Sequence, residues 1–344
     1  MRKNKKNIPS FALAIIILFV LIFIIKLSKS DKKSEKIQPH PAKNSVVGFK
    51  SDKYLNDIEK LYDSNVTFAD EMEKDYSNEF KNKRVTDDYL YTKIEKIIDD
   101  ETENLKGDWQ VAVDTISGKS NISIEKKSSD ENDAQVAAST IKIFIALETY
   151  RQVEEGILDE KDVEDDIYLM LRDSNNESTD RLIDKIGDND MKTARLNVGR
   201  MINKVTGKNR CALYTKMHGR GKANLVNAKD LNKALIVIYD GEIISREHCD
   251  IAMKAMSENT TTSKIKLLAD LPKKAKGLNK SGEYPDGGIE NDIAIIDVGD
   301  SVFAISFLSD FDEPVSHGGS PQFESMHNLG RRISNAFIAF DKDN

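Results

Sequence analysis

The sequence has few residues of the types that build disulfide frameworks and metal centres. Its 344 residues include only two cysteines and five histidines. Cys211 and Cys249 can form one disulfide at most, and the sequence leaves open whether they pair. The histidines are scattered and neither cysteine has a second ligand at zinc spacing, so we predict no metal site and no cofactor.

Acidic residues are absent from one long stretch of the chain. Residues 191–229 contain no Asp or Glu, although the chain has 58 in total. The same stretch contains ten basic residues: Lys192, Arg195, Arg200, Lys204, Lys208, Arg210, Lys216, Arg220, Lys222 and Lys229. They form either a solvated face or the border of a cleft that attracts anions, and the sequence does not decide between the two.

A long apolar run lies near the N-terminus. Residues 8–25 are almost entirely Ile, Leu, Phe, Val and Ala, and basic residues precede them. Such a run is about the minimum length that spans a bilayer. No small-residue cleavage site follows, so we favour an uncleaved membrane anchor at residues 8–26 over a cleaved signal peptide. The basic flank predicts a cytoplasmic tail at residues 1–7 and an extracellular location for the rest of the chain.

The charge distribution argues against nucleic acid as a partner. The formal net charge is −7, and residues 1–30 contribute +6 without a single acid, which leaves −13 on the remainder. An acidic surface of this kind repels a phosphate backbone.

The remainder divides into a tether and a folded domain. Residues 27–86 are predicted to be a linker followed by a helical stalk, and residues 87–341 to be the domain. Helices are expected at 88–104, 228–239 and 326–340, and strands at 109–113, 122–124, 275–280, 292–298 and 301–308. This order predicts an α+β sandwich, with the early hairpin and the late strands in one sheet.

One short motif places a hydroxyl and an amine together on a buried helix. In Ser139-Thr140-Ile141-Lys142, Ser139 and Lys142 lie on the same side of a helix, one turn apart. A serine needs an adjacent base to become a nucleophile, and a lysine can be that base when burial or a neighbouring cation lowers its pKa. Ser-x-x-Lys occurs three more times in the chain, so the motif alone is more often a helix cap with a surface lysine.

Two further motifs follow in order. Ser174-Asn175-Asn176 interrupts an apolar helical block, and Lys280-Ser281-Gly282 lies on a predicted strand near the end of the chain. Taken singly, the first is most often a helix cap and the second a strand that ends at a turn. The information therefore lies in the order of the three motifs.

That order resembles the penicillin-recognising serine hydrolases, which comprise the class A β-lactamases and related penicillin-binding proteins. Their signature is S-x-x-K, then S-D-N, then K-T-G. The resemblance runs from about Asp88 to the C-terminus. It implies a β-lactamase/transpeptidase-like α/β fold, in which a mainly antiparallel sheet is flanked by helices and accompanied by an all-α subdomain.

The resemblance implies catalytic roles for three side chains. Ser139 would be the acylated nucleophile, and Lys142 would be its base or proton relay. Ser174 would carry the proton to the leaving nitrogen. The backbone N–H groups of Ser139 and Glu283 would form the oxyanion hole.

It also implies a set of substrate-binding residues. Asn176 would hold the amide side chain of the substrate as well as Lys142. Lys280 and Ser281 would bind the substrate carboxylate, and Gly282 would let the strand approach the substrate closely.

The chain departs from the family pattern at several positions. Asn175 replaces the usual Asp, and Ser281 stands where Thr is common. We expect both replacements to be tolerated, and we expect loss of the Asp to affect the local structure more than the reaction. Class A enzymes also place a glutamate after the second motif to activate the deacylating water, whereas residues 191–229 supply no acid. His218 is an alternative base there, but a lone histidine is more often structural, and it is not chosen.

Together these observations predict a membrane-anchored, extracellular serine hydrolase of the class A β-lactamase type. A β-lactam amide would acylate Ser139, and the missing glutamate predicts slow deacylation. Two alternatives stay open: a penicillin-binding D,D-peptidase that acts on peptidoglycan D-alanyl peptides, and a non-catalytic sensor of β-lactams or wall fragments. The intact Ser-Lys-Ser-Lys set argues against the sensor.

Overall fold

The computed structural model describes residues 88–259, 266–316 and 320–343. Its helices are α1 (Asp88–Thr102), α2 (Lys142–Glu154), α3 (Glu164–Arg172), α4 (Asn176–Ile186), α5 (Met191–Thr206), α6 (Ala228–Asp240), α7 (Arg246–Ser257) and α8 (Pro321–Asp343). Its strands are β1 (Asp108–Ser117), β2 (Ser123–Lys127), β3 (Gln135–Val136), β4 (Leu225–Val226), β5 (Lys276–Tyr284), β6 (Ile289–Asp297) and β7 (Val302–Asp310). A 3₁₀ turn, Ala138–Ile141, leads directly into α2.

Five strands form one sheet in the order β2-β1-β7-β6-β5, and each neighbouring pair is antiparallel. The early hairpin, β1 and β2, pairs with β7, so the prediction of one shared sheet is confirmed. Strands β6 and β7 are buried along almost their whole lengths. Each strand contains a continuous apolar run, residues 293–296 in β6 and 302–305 in β7, as expected where helices cover both faces of the sheet.

The two faces of the sheet have separate apolar cores. On one face, α1 and α8 pack against the sheet, and the rings of Phe303 and Phe337 stack 4.5 Å apart. On the other face, α6 and α7 contact the sheet, and the core continues into α2, α3, α4 and α5. This arrangement confirms the predicted antiparallel sheet flanked by helices. It also includes a helical part, in which helices pack mainly against one another on one side of the sheet.

The first helix ends at Thr102, two residues earlier than the sequence predicts, and one of its aromatic residues lies on a different face from the one expected. Its buried side includes Leu90, Ile94 and Ile98, which repeat at intervals of four residues. The spacing of apolar residues in the sequence predicts Tyr89 on one face with Ile94, Ile97 and Ile98; the three isoleucines are buried, but Tyr89 is 70% exposed. A residue next to Leu90 points about 100° away around the helix, so the prediction for Tyr89 is wrong.

The two cysteines do not pair. Cys211 and Cys249 are both free thiols in the helical part, and both are buried. Burial raises the pKa of the Cys249 thiol to about 11, which makes it a structural rather than a reactive group.

Among the described residues, no helix is both long and apolar enough to cross a membrane. The predicted anchor at residues 8–26 lies outside the described residues, as do the cytoplasmic tail, the linker and the stalk.

Candidate active site

Ser139 lies on a strained turn between β3 and α2. The preceding residue, Ala138, has a positive φ of 43°, which is unusual for a residue with a side chain. The Ala137 backbone fixes this turn: its N–H donates to Asn224 O at 2.8 Å, and its carbonyl accepts from Thr140 Oγ1 at 2.7 Å. Strain that the surroundings hold in place is common at reactive sites. Ser139 itself is half-buried, so its position is fixed without being closed to solvent.

Lys142 is fully buried three residues after Ser139. Its Nζ donates to Ser174 O at 2.6 Å and to Asn176 Oδ1 at 2.8 Å, and it lies 3.2 Å from Ser174 Oγ. The first and second motifs are therefore in direct contact.

The surroundings of Lys142 favour its neutral form. Burial is the largest effect and the cation of Lys280 adds to it, so that the pKa of Lys142 falls to about 6, against the opposing influence of Asp180 and Glu177. At neutral pH most of the amine then carries a lone pair and can accept a proton. An ammonium group could not do so, which makes this shift a condition for base catalysis by Lys142.

Ser174 occupies a left-handed turn between α3 and α4, with φ at 56°. Through this turn both its carbonyl and its hydroxyl face Lys142. The next residue, Asn175, is the N-cap of α4, and its Oδ1 accepts from Ser178 N at 2.8 Å. The substitution of Asn for Asp at this position therefore leaves the helix capped, since both residues cap equally well.

Lys280 approaches Ser174 from the opposite side. Its Nζ donates to Ser174 Oγ and to Ser281 O, both at 2.8 Å. Burial lowers the pKa of Lys280 to about 8, with Lys266 contributing in the same direction and with Glu283 and Asp292 opposing it. The Ser174 hydroxyl thus lies between a mostly charged amine and a mostly neutral one, and it can pass a proton between them.

The third motif lies on the edge strand β5, beside the turn that carries Ser139. A Cβ added at Gly282 would lie 2.9 Å from Ala137 O and 2.9 Å from Ser139 N, so only glycine allows the strand to come this close. The backbone nitrogen of Ser139 therefore lies close to the β5 edge. This is the placement that an oxyanion hole made with the Glu283 N–H requires.

The structure brings four of the predicted side chains together in one hydrogen-bonded cluster. Lys142, Ser174, Asn176 and Lys280 are joined by hydrogen bonds. Ser281 is buried on β5, next to Lys280. The catalytic and binding roles assigned to these residues, and to Ser139, Gly282 and Glu283, remain predictions.

The Glu283 side chain has a partner that the sequence analysis missed. Its Oε1 lies 3.1 Å from Nζ of Lys266, a fully buried residue that also pairs with Glu290 Oε2 at 2.9 Å. Lys266 belongs to one of the Ser-x-x-Lys matches that we set aside as chance. Only the polar run of residues 290–292, Glu-Asn-Asp, on an otherwise apolar strand indicated buried charge there.

The ten basic residues of the stretch 191–229 do not all fit one interpretation, either a solvated face or the border of a cleft. Arg210 is buried and pairs with Asp230 at 2.6 Å, and Lys229 pairs with Asp114, so these cations are structural. Most of those on α5 are exposed. Residues 215–224 instead form a loop that is tied to the turn of Ser139 through Asn224 and to α4 through Asp180, so this part borders the cleft.

Comparisons with known proteins agree with the geometry. The model of the Beta-lactamase enzyme family matches residues 160–337, which is just over half of the chain. The match includes the second and third motifs, whereas Ser139 and Lys142 precede it. No protein with a curated function matches the sequence.

Solved structures share the fold at low sequence identity. A β-lactamase from Sphaerobacter thermophilus DSM 20745 is 18% identical and has a TM-score of 0.57, with 74% of this chain and 98% of that chain covered. A class A β-lactamase from Bacteroides cellulosilyticus DSM 14838 is 16% identical with a TM-score of 0.60, with coverage of 73% and 99%. A mutant of PBP-A in an acyl-enzyme complex with penicillin G is 17% identical with a TM-score of 0.60, with coverage of 72% and 97%.

Proposed function

Because the chain belongs to the β-lactamase enzyme family and is a serine hydrolase, we propose that it opens β-lactam amides by forming an acyl-enzyme on Ser139. The observation that carries this proposal is the chain of contacts from Lys142 through the Ser174 hydroxyl to Lys280. It supplies a neutral amine beside the nucleophile, a hydroxyl that can move a proton, and a cation.

Acylation follows from these groups in three steps. Lys142 Nζ takes the proton of Ser139 Oγ while Oγ bonds to the carbonyl carbon of the lactam. The oxyanion accepts hydrogen bonds from the N–H groups of Ser139 and Glu283. As the C–N bond breaks, Ser174 Oγ gives its proton to the leaving nitrogen and recovers one from the Lys142 ammonium, which leaves the amine neutral again.

Substrate binding uses the rest of the cleft. The cation of Lys280 and the hydroxyl of Ser281 bind the carboxylate of the substrate. Asn176, already oriented by Lys142, presents its amide to the side chain of the substrate. Ion pairing and hydrogen bonds of this kind fix the lactam carbonyl over Ser139, so that attack becomes effectively unimolecular.

Hydrolysis of the acyl-enzyme is the slow half of the reaction. The loop that borders the cleft, residues 215–224, contains no carboxylate, so water lacks the base that class A enzymes use. A penicillin-binding D,D-peptidase that acts on D-alanyl peptides is the second candidate, and the same missing acid supports it. We further propose that residues 8–26 anchor the enzyme in the cell membrane with the domain outside.

The test combines labelling and turnover. The protein is mixed with a fluorescent penicillin, and retention of label and hydrolysis of a chromogenic cephalosporin are followed in the parent and in Ser139→Ala. Ser257→Ala, which removes a hydroxyl bonded only locally to Lys254 O, is the matched control. Label that depends on Ser139 and persists supports the proposal. Equal behaviour of Ser139→Ala and the parent in both assays would overturn it.

A further inference from the structure

An imidazole stands at the border of the cleft where the family's carboxylate is missing. His218 lies in the loop of residues 215–224, and Asp180 on α4 holds it by three contacts. The Asp180 carboxylate accepts from Met217 N at 2.6 Å and from His218 N at 3.3 Å, and its Oδ2 lies 3.2 Å from His218 Nδ1. One carboxylate therefore positions both the backbone and the ring of His218.

Asp180 connects this imidazole to the catalytic amine. Asn176 and Asp180 are four residues apart on α4, so they share one face of the helix. Asn176 bonds Lys142 at 2.8 Å, and Asp180 is near enough for its charge to raise the pKa of Lys142 against burial. His218 therefore contacts Asp180, which lies one helical turn along α4 from Asn176, the residue that contacts Lys142.

The other end of the loop is fixed to the turn of the nucleophile. Asn224 O accepts from Ala137 N at 2.8 Å, two residues before Ser139. The side chain of Asn224 also holds the start of the loop, since its Oδ1 accepts from Tyr214 N at 2.7 Å and Thr215 N at 3.0 Å. The loop thus connects the turn of Ser139 to α4, and His218 lies at its attachment to α4.

The chemistry of the ring suits a base. The contact through Nδ1 to a carboxylate favours the tautomer with the proton on Nδ1, which leaves the lone pair on Nε2. The side chain is 55% exposed, so water reaches it. Two other cations of this loop have partners of their own: Lys216 pairs with Asp184 at 2.5 Å, and the Lys222 ammonium lies over the Tyr214 ring. The third, Arg220, is exposed to solvent.

We propose that His218, positioned by Asp180, is the general base that activates water to hydrolyse the acyl-enzyme. This inference rests on the proposed acylation of Ser139. Nε2 takes a proton from water as the water oxygen bonds to the ester carbonyl carbon. When the tetrahedral intermediate collapses, the bond from that carbon to Ser139 Oγ breaks, and the proton passes from the imidazolium to Oγ through intervening water.

The experiment measures the two half-reactions separately. The full-length protein is acylated with fluorescent penicillin, excess reagent is removed, and loss of label is followed in the parent, His218→Ala and Asp180→Asn. His218→Ala keeps both backbone contacts to Asp180, so the loop stays in place. His327→Ala is the matched control, because His327 lies on α8, across the sheet from the helical part, and faces Asp270.

We expect His218→Ala to lengthen the lifetime of the acyl-enzyme on the order of 10²-fold, the usual contribution of a general base, with the acylation rate unchanged. Asp180→Asn should lengthen it as well, and the double variant should add little. Imidazole added to the solution should restore deacylation in His218→Ala, an effect that a merely structural histidine would not show.

The failures of the two proposals are distinguishable. A parent protein that forms no acyl-enzyme refutes the proposed function. An acyl-enzyme that forms normally but decays at the same rate in His218→Ala as in the parent refutes the role of His218 alone. A lengthened lifetime that imidazole does not restore also counts against base catalysis by His218.

Discussion

Replacing Lys142 by methionine tests whether its amine, the proposed base, is neutral in the folded protein. The side chain is fully buried, and methionine matches its length without a charge. The pKa of Lys142 is about 6 in the folded protein, against 10.5 for an unperturbed lysine. The unfolded chain therefore binds a proton that the folded protein releases over this whole interval.

The sign and size of the effect follow from linkage. Between pH 6 and 10 the unfolded state binds more protons than the folded state. The free-energy cost of burying Lys142 therefore falls by about 1.4 kcal/mol for each unit by which the pH rises. From pH 6.5 to 8.5 the free energy of unfolding of the parent should rise relative to Lys142→Met by about 3 kcal/mol. Lys280 is present in both proteins, so its own titration largely cancels in the difference.

The assay is urea unfolding of both proteins at several pH values. The constant part of the difference in free energy of unfolding between parent and variant is not diagnostic. The variant also leaves Ser174 O and Asn176 Oδ1 without their donor, which costs about 1–3 kcal/mol each. The change of that free-energy difference with pH is diagnostic. A difference that stays constant with pH would mean that Lys142 keeps its proton when folded and cannot be the base for Ser139.

Variants at three further positions test other parts of the site. Lys280→Ala should move the acidic limb of the acylation rate to higher pH, because loss of a neighbouring cation raises the pKa of Lys142, and labelling rates across pH measure this shift. Gly282→Ala should slow labelling at least about 10²-fold, because the added Cβ forces β5 away from Ser139; labelling within a few-fold of the parent would contradict the close approach. Asn175→Ala should lower the free energy of unfolding by about 1 kcal/mol, whereas Asn175→Asp should leave it nearly unchanged, as denaturant titration would show.

Much of this site could be predicted because short motifs fix local geometry. The spacing of Ser139 and Lys142 alone places them one turn apart, and the interruption at Ser174 marks the junction of two helices. The length of the late apolar runs identified β6 and β7. Each of these signals lies within a few residues along the chain.

What escaped prediction depends on contacts between distant segments. The sequence left open whether Arg210 and Lys229 belong to a solvated face or to the border of a cleft, whereas they pair with Asp230 and Asp114. Lys266 looked like a surface residue, because the carboxylates that neutralise it come from β5 and β6. His218 looked isolated, since its partner Asp180 is 38 residues earlier in the chain.

The most direct test of the account is the site of covalent attachment. The protein is incubated with benzylpenicillin and digested with trypsin, and the peptides are analysed by mass spectrometry. The account predicts one penicilloyl adduct on the peptide of residues 128–142, with fragmentation that assigns it to Ser139. An adduct on any other residue, or a fully hydrolysed antibiotic with Ser139→Ala as active as the parent, would contradict it.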